Sequence, residues 1–159
     1  MAHLFYFIKV IMAILIPEID EISSFQPPLT EGERTLMNVL LAILDDSWKI
    51  YVQPYLNGLR PDIIIFNEDK KVGIFEVKDF NLDIYRVEAR EKNDQWQVES
   101  LKNGEKYWQD IDCPFAQVKK YKDSIIDWEI PILRSKNILN GNVYGYIQTF
   151  VYFHGSDRK

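Results

Sequence analysis

The sequence predicts an α/β sandwich with a central mixed β-sheet flanked by helices, and three observations predict it. An apolar stripe of helical spacing follows Thr30, a set of short apolar strands fills residues 48–78, and a helical stretch after Pro114 leads to a last β-branched and aromatic run, Tyr144–Phe153. Helix, three strands, a hairpin, helix and strand in that order is the pattern of a layered α/β domain. The length of 159 residues suits one domain with a real core. At 47% hydrophobic and 14% aromatic residues, the chain can bury enough surface to order itself.

The elements are taken in order. Residues 1–29 read as an N-terminal extension and linker, and residues 30–159 as the domain. Leu4 to Ile16 is apolar but interrupted by Lys9, and it is too short to span a membrane. Its weak basic start and the lack of a small-residue cleavage site argue against a signal peptide, so the expected location is the cytoplasm. Ser23 to Thr30 contains Pro27-Pro28 and reads as an extended linker. Thr30 with Glu33 makes a capping-box pattern, which starts a helix over Glu31–Leu44 with Leu36, Val39, Leu40 and Ile43 as its core stripe. Asp45-Asp46-Ser47 ends that helix. Trp48–Gln53 alternates enough for a strand, and Asn57-Gly58 is a turn. Asp83–Ala89 and Gln95–Leu101, flanked by Asn93-Asp94, read as an inserted β-hairpin placed as a lip over the site. Pro114 suits the first turn of a helix over Pro114–Ile126. Asn140-Gly141-Asn142 is a turn before the final strand. The charged residues after that strand suggest a domain cut from a longer protein.

The chemistry concentrates in residues 60–79, RPDIIIFNEDKKVGIFEVKD. Two apolar runs, Ile63–Phe66 and Val72–Val77, flank a polar stretch with its turn near Asp69. Antiparallel pairing about that turn brings Asp62 beside Glu76. Glu76 and Lys78, two apart on one strand, share a face. Adjacent carboxylates repel unless a cation lies between them, and hard oxygen ligands suit Mg²⁺ or Mn²⁺ rather than zinc. A neighbouring lysine can orient water and stabilise charge on a phosphorane-like transition state. The competing reading is a core hairpin with a solvated charged end. Against it, both strands are apolar on both faces, and charges placed on buried strands need partners or a metal. Pro61 is tolerated at a strand start but not in a central ladder, so it marks where the strand begins and helps fix where Asp62 points.

Composition excludes several classes. The single cysteine, Cys113, permits no internal disulfide and no cysteine-based zinc cluster, and it reads as a small buried residue near a helix start. His3 and His154 lie at opposite ends, which leaves neither a His-rich metal site nor a Ser-His-Asp triad. There is no Walker A loop and no Gly-x-Gly-x-x-Gly. The net charge of −5 opposes tight binding to phosphates. Local basic groups, Arg86-Arg90-Lys92 and Lys119-Lys120-Lys122, point to weak DNA binding, with a larger protein supplying the grip.

Pro61-Asp62 followed by Glu76-Val77-Lys78 resembles the motif of the PD-(D/E)xK nuclease superfamily. Gln117 and Tyr121, in FAQVKKYKD, are similar to the Gln-x-x-x-Tyr helix of its RecB-like branch. The segments PPLTEGERTL, WKIYVQPYLNGLRPDIIIF and GIFEVKDFNLDIY resemble the nuclease-related domain (NERD), found alone or fused to UvrD-like helicases. The resemblance covers residues 14–153. It implies a restriction-endonuclease-like core and a metal-dependent deoxyribonuclease, partnered by DNA and by a helicase in the same or an associated chain. It further implies Asp62, Glu76 and the Val77 carbonyl as metal ligands, and Lys78 as the residue that positions the attacking water. Glu33 would hold a water of the metal's shell or a second ion. Gln117 and Tyr121, one helical turn apart, would hold Lys78 or a substrate phosphate. The alternative for Glu33 is a solvated charge in a first helical turn, and for Tyr121 a core aromatic. Family starts resemble MAILIPEIDEI, which makes Met12 the expected initiator and residues 1–11 an upstream extension or a surface strand. Two other functions stay open: a catalytically inactive DNA-binding or docking module of a helicase, and a protein-interaction domain.

Overall fold

The computed structural model describes residues 12–68, 71–89, 95–129 and 141–156. The expected turn centre at Asp69, the flank Asn93-Asp94, the basic residues Arg90 and Lys92, Asn140, and residues 1–11 lie outside the described residues. The architecture is a five-stranded mixed sheet between helices, with a smaller three-stranded sheet beside it.

The central sheet runs in the order β1 (Ile14–Ile16), β2 (Lys49–Val52), β3 (Ile63–Phe66), β4 (Val72–Lys78), β8 (Ile147–Phe153). The pairs β1–β2 and β4–β8 are parallel, and β2–β3 and β3–β4 are antiparallel. The sheet is therefore mixed, consistent with a restriction-endonuclease-like core. One core layer lies between the sheet and the helix α2 (Glu31–Ile43), and includes Leu36, Met37, Leu40, Ile50, Ile63 and Val77. The other lies between the sheet and α3 (Pro114–Ser124), with Ile64, Ile74, Val118, Tyr121, Ile125 and Ile147. Strands sandwiched this way are apolar on both faces because neither face meets water.

Five sequence expectations change. The segment before residue 30 is not a linker. β1 pairs with β2, a short helix α1 spans Ile19–Ser23, and Ala13, Ile22 and Leu29 are buried in the α2-side core. A three-residue strand is too short to carry a periodic signal, so only its pairing identifies it. The stripe of α2 is rotated from the expected one: Gly32, Glu33, Leu36, Met37 and Leu40 are buried, whereas Val39 is 48% and Ile43 69% exposed. Helical periodicity accommodates either face, and docking against the sheet selects one. The inserted hairpin is a three-stranded antiparallel sheet, β5 (Tyr85–Ala89), β6 (Gln95–Ser100) and β7 (Lys106–Asp112), with a register shift between Gln95 and Gln97. β7, KYWQDID, mixes charges with aromatics and shows no clean alternation. The last strand starts at Ile147 rather than Tyr144, because Gly141–Tyr146 forms a 3₁₀ segment. Past Ser124, α3 widens into a π-helical turn, Ile125–Glu129.

The start of α2 is where the fold sets up a site. Thr30 Oγ1 accepts from the Glu33 amide, and the Glu33 carboxylate accepts from the Thr30 amide at 2.7 Å, a complete capping box. The Gly32 amide donates to Asp79 Oδ1 at 2.9 Å, docking the helix onto the end of β4. A Cβ on Gly32 would lie 2.5 Å from Asp79 Oδ1, 2.8 Å from Val77 Cγ1 and 2.9 Å from His154 Cβ. Gly32→Ala is expected to cost about 1–3 kcal/mol through this overpacking, read as a lower urea midpoint. An unchanged midpoint would show that the helix does not seat this closely.

Candidate active site

β4 outlasts β3, and that difference in length builds the site. The register pairs Ile63 with Phe75, which sets Asp62 across from Glu76 just beyond the paired segment. The Val77 amide, past the end of β3, has no strand partner on that side, and Asp62 Oδ2 accepts from it at 2.6 Å. Pro61 is buried immediately before Asp62 and has no N–H to satisfy there. Glu76, 4% exposed, receives Lys78 Nζ on Oε1 at 2.7 Å and the Tyr121 hydroxyl on Oε2 at 3.2 Å. Glu33, 5% exposed, has Oε2 on the Thr30 amide and Oε1 on Gln53 Nε2 at 2.8 Å.

Asp62, Glu76, Lys78, Glu33 and Tyr121 therefore converge from β3, β4, α2 and α3. Glu33 is not a solvated first-turn charge; it is buried and faces Asp62. The Tyr121 hydroxyl donates to Glu76 Oε2. The reason is local: Lys78 already holds one oxygen of Glu76, and the hydroxyl from α3 reaches the other. Tyr121→Phe would leave that oxygen unsatisfied at a buried site, and is expected to lower stability by about 1–3 kcal/mol, read by denaturant titration. A midpoint equal to wild type would mean that the hydroxyl bond contributes nothing. Gln117 lies one turn before Tyr121 on α3, and its buried Oε1 has no hydrogen-bond partner among the described residues. That oxygen takes no bond from Lys78, which leaves the other expectation, a hold on a substrate phosphate, for its side chain. Val77 offers its amide to Asp62, while its side chain packs in the α2-side core.

Three carboxyl groups this close, largely out of water, are electrostatically costly. Burial, then the charge on Glu76, push the Asp62 carboxyl up from 3.8 to about 8; the Val77 amide opposes this, and the charge of Glu33 and its hydrogen bond add to it. A divalent cation among these oxygens would reverse the repulsion. The donors are hard carboxylate oxygens, the type that Mg²⁺ and Mn²⁺ take, so the residues present fit such an ion. The carboxylates are nonetheless engaged elsewhere: among the described residues, no three His, Cys, Asp or Glu side chains are gathered as a ready ligand set.

Two residues near the cluster escaped sequence reading. Asp79 directly follows the Glu-x-Lys segment and anchors α2. The strand expected over Trp48–Gln53 ends at Val52; Gln53 turns into a left-handed conformation, and its side chain reaches Glu33. Pro54, which has no N–H for a ladder bond, was the available signal that the strand stops there.

The three-stranded sheet stands at the same end of the molecule. Phe80 meets Tyr85 and Trp96 with ring centroids 4.8 and 5.4 Å apart, and Trp96 meets Phe153 at 6.4 Å. Phe153 is the register partner of Lys78, which puts the insertion beside the site. Of the local basic groups, Arg86 lies 3.8 Å from Glu99. Lys122 stacks 3.7 Å over the Tyr144 ring. No helix among the described residues is long and apolar enough to cross a membrane.

Comparison with curated proteins and with solved structures gave no match in either case. A family model does match: residues 29–154 fit the nuclease-related domain, spanning both carboxylate strands, the capped helix and the Gln117–Tyr121 helix. With the mixed sheet and the Asp62, Glu76 and Lys78 arrangement, this is consistent with the PD-(D/E)xK nuclease-like superfamily, and the chain belongs to the nuclease-related domain (NERD) family.

Proposed function

We propose that this chain is a metal-dependent nuclease that hydrolyses DNA phosphodiester bonds, working in a helicase-linked DNA-processing or defence protein. The observation that carries the reading is the meeting of half-buried Asp62 and Lys78 with buried Glu76 and Glu33 in a chain of this family. Asp62, Glu76, the Val77 carbonyl and Glu33 would hold Mg²⁺ or Mn²⁺. When bound, that ion supplies Lewis acidity at the phosphate and a charge that offsets the carboxylates.

The chain's own groups divide the remaining work. Lys78, with its side chain 16% exposed, is held 2.7 Å from Glu76 and so reaches the reaction centre with its ammonium oriented. From there it can hold the attacking water and donate to a non-bridging phosphate oxygen as negative charge grows. Tyr121 fixes the second oxygen of Glu76, and Thr30 and Gln53 fix both oxygens of Glu33. The net charge of −5 favours a weak, salt-sensitive grip on DNA by this domain, with a helicase supplying the rest.

One observation favours a second reading, a catalytically inactive DNA-binding or docking module. Among the described residues, the acidic side chains are bonded to protein partners and form no ready ligand set. Cleavage of labelled single- and double-stranded DNA with Mg²⁺ or Mn²⁺ separates the two readings. Metal-dependent cutting that is lost in Lys78→Ala supports the nuclease. No cutting with either ion, together with an unchanged melting temperature on adding Mn²⁺, supports the silent module.

A further inference from the structure

Gln53 closes β2 with φ at +47°, a left-handed backbone that residues bearing a Cβ rarely adopt. It also precedes Pro54, and a following proline favours extended backbone at that position. Local sequence therefore disfavours the conformation twice, and tertiary bonds must hold it. Two bonds do: one continues the β2–β3 register onto the backbone of Asp62, and the other reaches the carboxylate of Glu33. The Gln53 amide N–H donates to the Asp62 carbonyl at 2.8 Å, and Nε2 donates to Glu33 Oε1 at 2.8 Å. One residue thus ties the start of β3 to the first turn of α2. Backbone kept in a sparsely populated region persists only where the surroundings over-determine it, and such residues gather at functional sites.

The chemistry of the donor matters as much as its place. A lysine or arginine at this point would neutralise Glu33. An amide orients the carboxylate and leaves its charge available to a cation, as outer partners of metal ligands do.

We propose that Gln53 is a positioning residue for metal binding: it holds Glu33 turned towards Asp62, so that the two carboxylates can share a divalent ion. The inference rests on the metal-dependent reading above. The test is calorimetric titration of the full chain with MnCl₂, alongside metal-free melting curves, for wild type, Gln53→Ala and Gln53→Gly. Alanine loses the amide and keeps the backbone strain; glycine loses the amide and relieves it. The glycine variant is expected to melt above the alanine variant, yet both are expected to bind Mn²⁺ about 10- to 100-fold more weakly than wild type. A purely structural residue would behave differently, with glycine restoring the affinity along with the melting temperature, and that result overturns the assignment. Wild-type affinity in both variants overturns it too, while leaving the metal site standing. No Mn²⁺ binding by wild type overturns the metal site itself and this inference with it.

Discussion

Lys78→Ala is expected to lower Mg²⁺- or Mn²⁺-dependent DNA cleavage by about 10²–10³-fold, the usual effect of removing one donor aimed at developing charge. The side chain has two jobs. Its ammonium is 2.7 Å from Glu76 Oε1, and Glu76 is 4% exposed. Without the lysine, that carboxylate keeps the Tyr121 hydroxyl but loses its cation. Removing one member of a buried pair costs about 3–5 kcal/mol, so the variant will also be less stable. The two effects come apart with a second change. The double variant Lys78→Met, Glu76→Gln carries no unpaired charge, and is expected to recover most of the stability while remaining unable to cleave. Cleavage rates and denaturant midpoints on the three proteins check this. Lys78→Ala cutting at the wild-type rate, at a temperature where it is folded, would remove Lys78 from the chemistry.

Asp62→Asn is expected to abolish divalent-ion binding while stabilising the metal-free fold at alkaline pH. The asparagine carbonyl can still accept from the Val77 amide, and its NH₂ can donate to Glu33, so no polar group is orphaned. The sign follows from the raised carboxyl. Asp62 titrates near 8 in the folded protein against 3.8 ordinarily, so between those values the folded state holds a proton that the unfolded state has released. Its contribution to stability is fully present below about 3.8, declines as pH rises, and is gone above about 8. Metal-free wild type should therefore lose melting temperature between pH 5 and 9 relative to Asp62→Asn. Added Mg²⁺ should restore wild type alone, because the cation replaces the proton. Parallel melting curves for the two proteins across that range would show that Asp62 is not strained by its neighbours. A gain in stability on losing a site residue is the ordinary trade between a strained site and a relaxed fold.

The hairpin geometry around Asp62, Glu76 and Lys78 was legible because it is local. Side-chain alternation and the distance of each residue from a turn determine which groups meet, and two apolar runs with a polar stretch between them carry that information. The capping box at Thr30 and Glu33, the proline that starts α3 and the apolar strands were legible for the same reason: each depends on residues within a few positions of one another.

What the chain order could not say was how separate elements dock. Whether Leu36 and Met37 or Val39 and Ile43 face the core depends on the rotation of α2 about its axis, and that rotation comes from the close approach of Gly32 to Asp79, Val77 and His154. β1 is a strand only because β2 offers it a parallel edge. Glu33 keeps a second reading as a surface charge until α2 is seated over the end of β4, and Tyr121 reads as a core aromatic until α3 brings its hydroxyl to Glu76. Local order was enough to set the hairpin that places Asp62 opposite Glu76. The resemblance named Glu33 and Tyr121 without their bonds; only packing decided that Tyr121 reaches Glu76, that Glu33 is buried and that Gln53 holds it, because contacts between residues far apart in the chain leave no periodic trace in the order of residues.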